Sequence, residues 1–457
     1  MAAGAYRLVH YLRLASVFVV LLWIFIQFGG AGDTRNQYAS LFRKFRDQRT
    51  VFVSDFLNHD VNGPYNGEGL SDLCSAKKWT PGLLLTCDAV PGSMTDVKNG
   101  ILTCVRVAIE IGAEIILPEI KLRSTMDLAD ITPHDNGPRR GVPLEHFFDR
   151  AYLLNTMGQF CPELKIHESL NDFYDEPNVL TPVPLDLYKV PGVEIASNLP
   201  GSAGKLVVAG DKLGKQILDL INAKSPPSTR QYPFRVALRP TPSYIMPSFA
   251  DPPPLRRYFG RLLRVRPDLR ALAAGMLFNL QKAFGLTIDP RQGIDVDAFV
   301  GVELRTQPDP LPFPAYAIQA SDALSYILAN NMSQVFLTEG ATAEDAAAFS
   351  ARCKEFGVNV VTKEDLLEGP DVLTLSELSY DERFLVDYEV VLHAGLFTGN
   401  AQSSFAWNVG LRREFAFGEP GAANSSHLNG TLRWHSPYST LYGKDNIGDD
   451  FRRAIWP

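Results

Sequence analysis

Two short stretches hold residues whose types and spacing suit them to bind an anion. The first is Val296–Asp309 (VDAFVGVELRTQPD), which carries Glu303, Arg305 and Asp309. Ala298–Leu304 is mostly apolar and β-prone, as in a strand covered on both faces of a parallel sheet. Arg305 follows at its carboxyl end, where ligands of open α/β sheets bind. A guanidinium there can clamp a phosphate through parallel N–H bonds; the alternative is a structural Arg–Asp pair. The second stretch ends in Ser403, Ser404 and Phe405, at the start of a predicted helix. Hydroxyls and free N–H groups at the positive end of a helix dipole receive anions. Each charge-assisted hydrogen bond contributes about 1.5–3 kcal/mol, so a few of them could hold a diphosphate without a metal.

The elements that must position these groups read as two βα arrays. In the first, Leu83–Cys87 is a short strand, Asp88–Lys98 a turn-rich loop, and Asn99 a candidate cap for a helix running to about Gly112. Ile115–Leu117 follows as a strand, giving a βαβ unit. LEHFFDRAYLLNTMGQF reads as an amphipathic helix, and Leu206–Val208 and Arg235–Leu238 as strands. Leu255–Phe284 is helical in pattern, its arginines read as a solvated face. The second array starts at Asp295. Strands ending at Arg305, Thr338, Val361 and Gly399 alternate with helices over 315–330, 344–356, 380–393 and 403–413. Residues 418–457 are polar with aromatic patches and carry no clear pattern.

The chain has 457 residues, 46% of them hydrophobic, which suits two domains rather than one core. A net charge of −7 and the lack of a basic, aromatic-interleaved run argue against nucleic-acid binding. Leu14–Phe28 is a nearly unbroken apolar run preceded by Arg7, His10 and Arg13. It reads as a short single-pass signal anchor with the rest of the chain lumenal, in the endoplasmic reticulum or Golgi, rather than a cleaved signal peptide. Of five cysteines, Cys74 and Cys87 are the nearest pair and candidates for a bridge. Sequons at Asn331, Asn424 and Asn429 fit a lumenal chain.

Other constellations say less. Asp295-Val296-Asp297 spells D-x-D but precedes its strand, whereas a metal-binding D-x-D follows one. His134, His146 and His167 have no ligand spacing, and His393 sits on a predicted helix as a packing residue. Ser403–Ser404 lacks the G-x-S-x-G elbow of a serine hydrolase.

The order Glu303-Leu304-Arg305, Asp309, Asp381-Glu382 and GLFTGNAQSSFAWNVGLRRE (Gly395–Glu414) resembles the GDP-fucose protein O-fucosyltransferases and their fungal relatives. In that family a strand ends in His-Leu-Arg with an acid shortly after. Later come Asp-Gln, Phe-x-Gly-Asn and Ser-Ser-Phe before a helix ending in Arg and Glu. The match spans roughly Val296–Glu414. Gly92, Asn99 and Gly100 fall where the family has a Gly- and Asn-rich loop, without its Asn-Gln pair. The resemblance implies an α/β GT-B architecture: two Rossmann-like, doubly wound domains facing a cleft, here preceded by the transmembrane helix. The corresponding segments are 1–30 (cytosolic tail and anchor), 31–80 (stem), 81–240 (acceptor-side domain), 241–294 (helical connection), 295–418 (donor-binding domain) and 419–457 (tail). It further implies inverting, metal-independent transfer of fucose from GDP-fucose to a hydroxyl of a protein or glycan, with no further cofactor. Arg305 would then bind the β-phosphate, Asp309 orient it, and Ser403, Ser404 and Phe405 hold the nucleotide, with Asn99 facing sugar or acceptor. Glu303 replaces the family's His. It could act as general base, or mark a descendant that binds a glycan or a partner protein without catalysis.

Overall fold

The computed structural model describes residues 48–90, 92–123, 141–173, 175–190, 210–224, 228–309, 313–417, 423–428, 431–444 and 451–457. The apolar run Leu14–Phe28, the strand expected at Leu206–Val208, His134 and the sequon at Asn429 lie outside them. Among the described residues no helix is long and apolar enough to cross a membrane. Asp55–Pro457 forms one compact unit.

The unit is mixed α/β, built on two sheets. The first has five parallel strands: β1 (Leu83–Cys87), β2 (Glu114–Ile116), β3 (Ile166–His167), β4 (Val183–Leu185) and β5 (Phe234–Leu238), in the order β3-β2-β1-β5-β4. The chain steps outward from β1 through β2 to β3, then returns to the other side of β1, so the winding reverses between β1 and β5. Helix α1 (Met94–Ile111) follows β1. It starts five residues before Asn99, because Ser93 and Asp96 form a reciprocal capping box. It ends at Gly112, whose φ of 61° is the left-handed conformation glycine adopts without strain. Asn99 therefore lies inside the helix.

Helix α2 (Pro267–Phe284) crosses to the second sheet. There β6 (Val300–Val302), β7 (Gln334–Leu337), β8 (Asn359–Val361) and β9 (Leu396–Asn400) are parallel, and β10 (Asn424–Leu428), β11 (Thr431–Ser436) and β12 (Ser439–Lys444) extend the sheet in the order β10-β11-β12-β9-β6-β7-β8. The segment without a clear pattern is thus sheet. Its signal is the alternation of exposed Arg433 and His435 with buried Trp434 and Ser436. Helices α3 (Tyr316–Ala329), α4 (Ala343–Lys354), α5 (Tyr380–Leu392) and α6 (Ser404–Phe417) make the crossovers. Arg413, fully buried, gives its guanidinium to the carbonyls of Val391, Leu392, Ala394, Gly395 and Tyr438. It satisfies the open carbonyls at the end of α5 and fixes the turn into β9.

Three expectations change. The disulfides are Cys74–Cys161 and Cys87–Cys104, not Cys74–Cys87, and Cys353 is a buried free thiol. The second bridge ties the end of β1 to the middle of α1, a contact no sequence spacing reveals. The described part of the polar stem is packed into the unit from Asp55 on, with Phe56, Leu70 and Cys74 buried. The arginines of the 255–284 region are not all solvated: Arg261 and Arg270 are buried. Arg270 pairs with Glu389 of α5 at 3.3 Å, and Arg261 lies 3.6 Å from Asp60. Asp60 also takes two bonds from Arg412 of α6, at 3.0 and 3.2 Å.

Candidate functional site

The winding of the second sheet reverses at β6: β7 and β8 lie on one side, β9 on the other. Val302 stands opposite both Leu337 and Thr398, so the next residues of β6 and β9 leave the sheet side by side. Crevices at such reversals are where α/β sheets bind ligands. Glu303 and Arg305 come from the segment just after β6, and Ser403 from the turn after β9. Ser403 Oγ donates to Glu303 Oε1 at 2.7 Å and accepts from the Ala406 N–H at 3.2 Å, so it caps α6 while touching the β6 strand end.

Arg305 is fixed from several sides. Its backbone N–H donates to Gln319 Oε1 at 2.9 Å, and Gln319 Nε2 returns a bond to its carbonyl at 2.8 Å. Its guanidinium pairs with Asp309 and lies 5.3 Å from the Phe313 ring centroid. The loop after β7 approaches closely through Gly340, where a Cβ would sit 2.7 Å from the Leu304 carbonyl oxygen. Asp309 and Gln319 thus pre-set the guanidinium at the strand end.

Glu303 is 2% exposed, and its Oε2 has no hydrogen-bond partner among the described residues. Burial pushes its carboxyl up to about 7, against the opposing pull of Arg305, the Ser403 hydroxyl and the Asn400 backbone. A carboxylate at that value exchanges a proton near neutral pH. Gly399 makes room for it: a Cβ there would meet Glu303 Oε2 at 3.0 Å. Beside it is a hollow of about 10 Å³, bordered by Gln319, Asp322, Thr398 and Tyr442, enough for about one water.

Two more polar groups are stranded at the same strand ends. The hydroxyls of Thr338, just past β7, and Tyr380, first in α5, are buried without a partner among the described residues. Burial raises the Tyr380 hydroxyl to about 12, with Arg305 and Arg123 opposing. Arg123 belongs to the chain beyond β2. It grips Asp381 at 2.6 and 3.2 Å and lies 5.4 Å from the Tyr380 ring centroid. Lys363 bridges Asp387 and Glu339, each at 2.7 Å. Burial pushes Asp387 up to about 6 against that lysine.

The reversal of the first sheet meets that of the second. Ser404 Oγ lies 2.7 Å from Thr95 Oγ1 and 3.3 Å from Ser93 Oγ, so the starts of α6 and α1 touch. The Tyr244 hydroxyl donates to Asp96 in the same knot.

Glu303, Arg305, Asp309 and Ser403 therefore lie together past the ends of β6 and β9, with Ser404 turned toward α1. Phe405 is core, packed on Phe384 with centroids 4.4 Å apart. Asn99 is 1% exposed and its amide is committed to the backbone: it donates to the Ser243 and Ala454 carbonyls and accepts from Trp456 N–H at 3.1 Å. It fastens the carboxyl terminus to α1. His167 bonds Glu114 at 2.7 Å, and His393 ends α5 with its ring 4.6 Å from Phe56. Among the described residues no group of three or more His, Cys, Asp or Glu is placed to hold a metal ion. Asn331 and Asn424 are exposed, the former in a turn at φ 55°. The sequence reading missed Tyr380, Thr338, Arg123 and Thr95. Their only sequence signal was the Asp381 beside Tyr380.

No family model matches the sequence, and no curated protein matches it. Among solved structures, the chain is similar to POFUT1 in complex with GDP, at 12% identity and a TM-score of 0.43, covering 74% of this chain and 96% of that one. It is similar to a variant of Arabidopsis thaliana FUT1 in complex with GDP, at 11% identity and 0.37, covering 80% and 77%. It is also similar to the fucosyltransferase NodZ from Bradyrhizobium, at 10% identity and 0.38, covering 79% and 99%. At these values the likenesses assign no function to the chain.

Proposed function

We propose that the protein is a glycosyltransferase of GT-B architecture that moves fucose from GDP-fucose to a hydroxyl of a protein or glycan, as a single-pass, type II lumenal enzyme of the endoplasmic reticulum or Golgi. The observation that carries this reading is the placement of Arg305, Glu303 and the Ser403-capped start of α6 at one reversal of the second sheet. In the transfer, the acceptor oxygen attacks the sugar C1 from the face opposite the diphosphate. The C1–O bond breaks, and GDP leaves with the electron pair. Arg305 and the N–H groups at the start of α6 stabilise the charge that develops on the β-phosphate. Glu303 takes the acceptor's hydroxyl proton, for which a carboxyl near 7 is suited. No step in this reading requires a metal. Two disulfides support a lumenal setting.

A second reading, a non-catalytic binder of glycans or a partner protein, is favoured by one observation. The groups that would meet the diphosphate already have protein partners: Ser403 has Glu303, Ser404 has Thr95, and Arg305 has Asp309. A screen with GDP-, UDP- and CMP-sugars separates the two. We expect turnover with GDP-fucose alone, and its sharp loss in Glu303→Gln with GDP affinity kept. GDP binding without turnover of any donor would favour the second reading.

A further inference from the structure

The first turn of α5 is pinned residue by residue, and one group in it is left over. Ser379 and Glu382 form a reciprocal capping box. Arg123 grips Asp381 at 2.6 and 3.2 Å, and Arg266 pairs with Glu382 at 2.8 Å. Arg383 reaches Glu339 at 2.8 and 3.3 Å. The ring of Tyr380 stacks on that of Phe384, with centroids 6.3 Å apart and planes 19° apart, and the Arg123 guanidinium lies 5.4 Å from its centroid. Tyr380 is 6% exposed, yet its hydroxyl has no partner among the described residues. Burying a hydroxyl without a partner is unfavourable, and a ring held by two neighbours has little freedom to turn toward one.

Two of the anchors come from outside the βα array that contains α5. Arg123 lies in the chain beyond β2 of the first sheet, and Arg266 caps α2. The side chains of Arg123 and Asp381 are both buried, so their pairing is shielded from water in a way that a surface ion pair is not. Burial raises the Tyr380 hydroxyl, and Arg305 is the first of the cations that oppose this, ahead of Arg123 and Lys363. The stranded hydroxyl is therefore within reach of the charge at the end of β6.

We propose that the Tyr380 hydroxyl donates to the diphosphate held by Arg305, and that Arg123 is a positioning residue that places this hydroxyl by gripping Asp381. The proposal rests on the donor reading above and extends it: a residue of the first array helps to set nucleotide affinity in the second. A phosphate oxygen can accept from a phenol and a guanidinium together, which satisfies the group that the fold leaves open.

The test is the Kd for GDP of the full chain by calorimetry, with the nucleotide-free Tm measured alongside. Tyr380→Phe removes only the hydroxyl. It should weaken GDP binding about tenfold, the contribution of one charge-assisted hydrogen bond, with a nucleotide-free Tm no lower than that of wild type. Arg123→Gln should weaken binding by a similar factor, and Arg123→Lys by less. The double variant Tyr380→Phe/Arg123→Gln should bind within about twofold of the weaker single variant, because both changes act through one hydroxyl. Three results would overturn the proposal: an unchanged Kd in Tyr380→Phe, a Kd in Arg123→Gln that stays at the wild-type value while the nucleotide-free Tm falls, or factors that multiply in the double variant. In each of these the donor reading stands, since wild type binds GDP. A wild type that does not bind GDP would overturn both.

Discussion

Two regions of this molecule bury charge, and they treat it differently. In the seam between α1, α2, α5 and α6, Asp60 is gripped by Arg412 and faced by Arg261, and Glu389 by Arg270. Arg412 also reaches the Tyr388 hydroxyl at 3.2 Å. At the strand ends of the second sheet, by contrast, Glu303 Oε2 and the hydroxyls of Thr338 and Tyr380 are buried without partners among the described residues. An unsatisfied buried polar group costs about 1–3 kcal/mol; the seam carries some as well, since the Nε atoms of Arg261 and Arg264 have no partner among the described residues, but there every carboxylate named is held by a guanidinium. The seam holds the two sheets together. In the function we propose, the strand-end groups find their partners in the bound nucleotide and acceptor.

The comparison breaks most visibly in the seam. Arg270→Met leaves Glu389 buried without its guanidinium, and we expect a loss of about 3–5 kcal/mol in a urea unfolding curve. A loss under about 1 kcal/mol would mean that the seam is no more committed than a surface ion pair.

Glu303→Gln should act in the opposite direction. The folded carboxyl titrates near 7, above its ordinary 4.5, so the fold favours the protonated form. Its contribution is complete below about 4.5 and fades as the pH rises to about 7, after which the ionised group is a burden of the order of 3 kcal/mol. The variant should therefore melt higher than wild type at pH 8 and close to it at pH 4.5. An equal difference at both values would sever the link to this titration. Tyr380→Phe is the mildest test. Deleting a stranded hydroxyl should leave Tm unchanged or raise it by the equivalent of about 1 kcal/mol, and a fall of that size would reveal a partner.

How much of this was legible in the sequence depends on the range of the contacts. The strand before Arg305, which stops at Val302 rather than at Leu304, and the helix led by Ser403 were readable because each is a local pattern: an apolar run that stops, and a hydroxyl before a helix. The start of α1 was misplaced because Asn99 and Ser93 are both cap-forming types, and only the reciprocal bond with Asp96 selects Ser93. The buried arginines resembled a solvated face because their counterions are remote: Arg270 and Glu389 are 119 positions apart. The Cys74–Cys161 bridge spans 87 positions and leaves no trace in spacing. Asn99 matched a motif position, yet its amide is used to hold Trp456 at the far end of the chain.

The central claim, that Arg305 and the start of α6 together receive a nucleotide diphosphate, is tested most directly by the GDP-induced change in Tm of the wild-type chain and of Arg305→Ala. The account predicts a saturable rise for the wild type, equivalent to about 2.7 kcal/mol at a hundredfold excess over Kd, and none for the variant. A wild-type chain that does not respond to GDP, or a variant that responds as the wild type does, would contradict it.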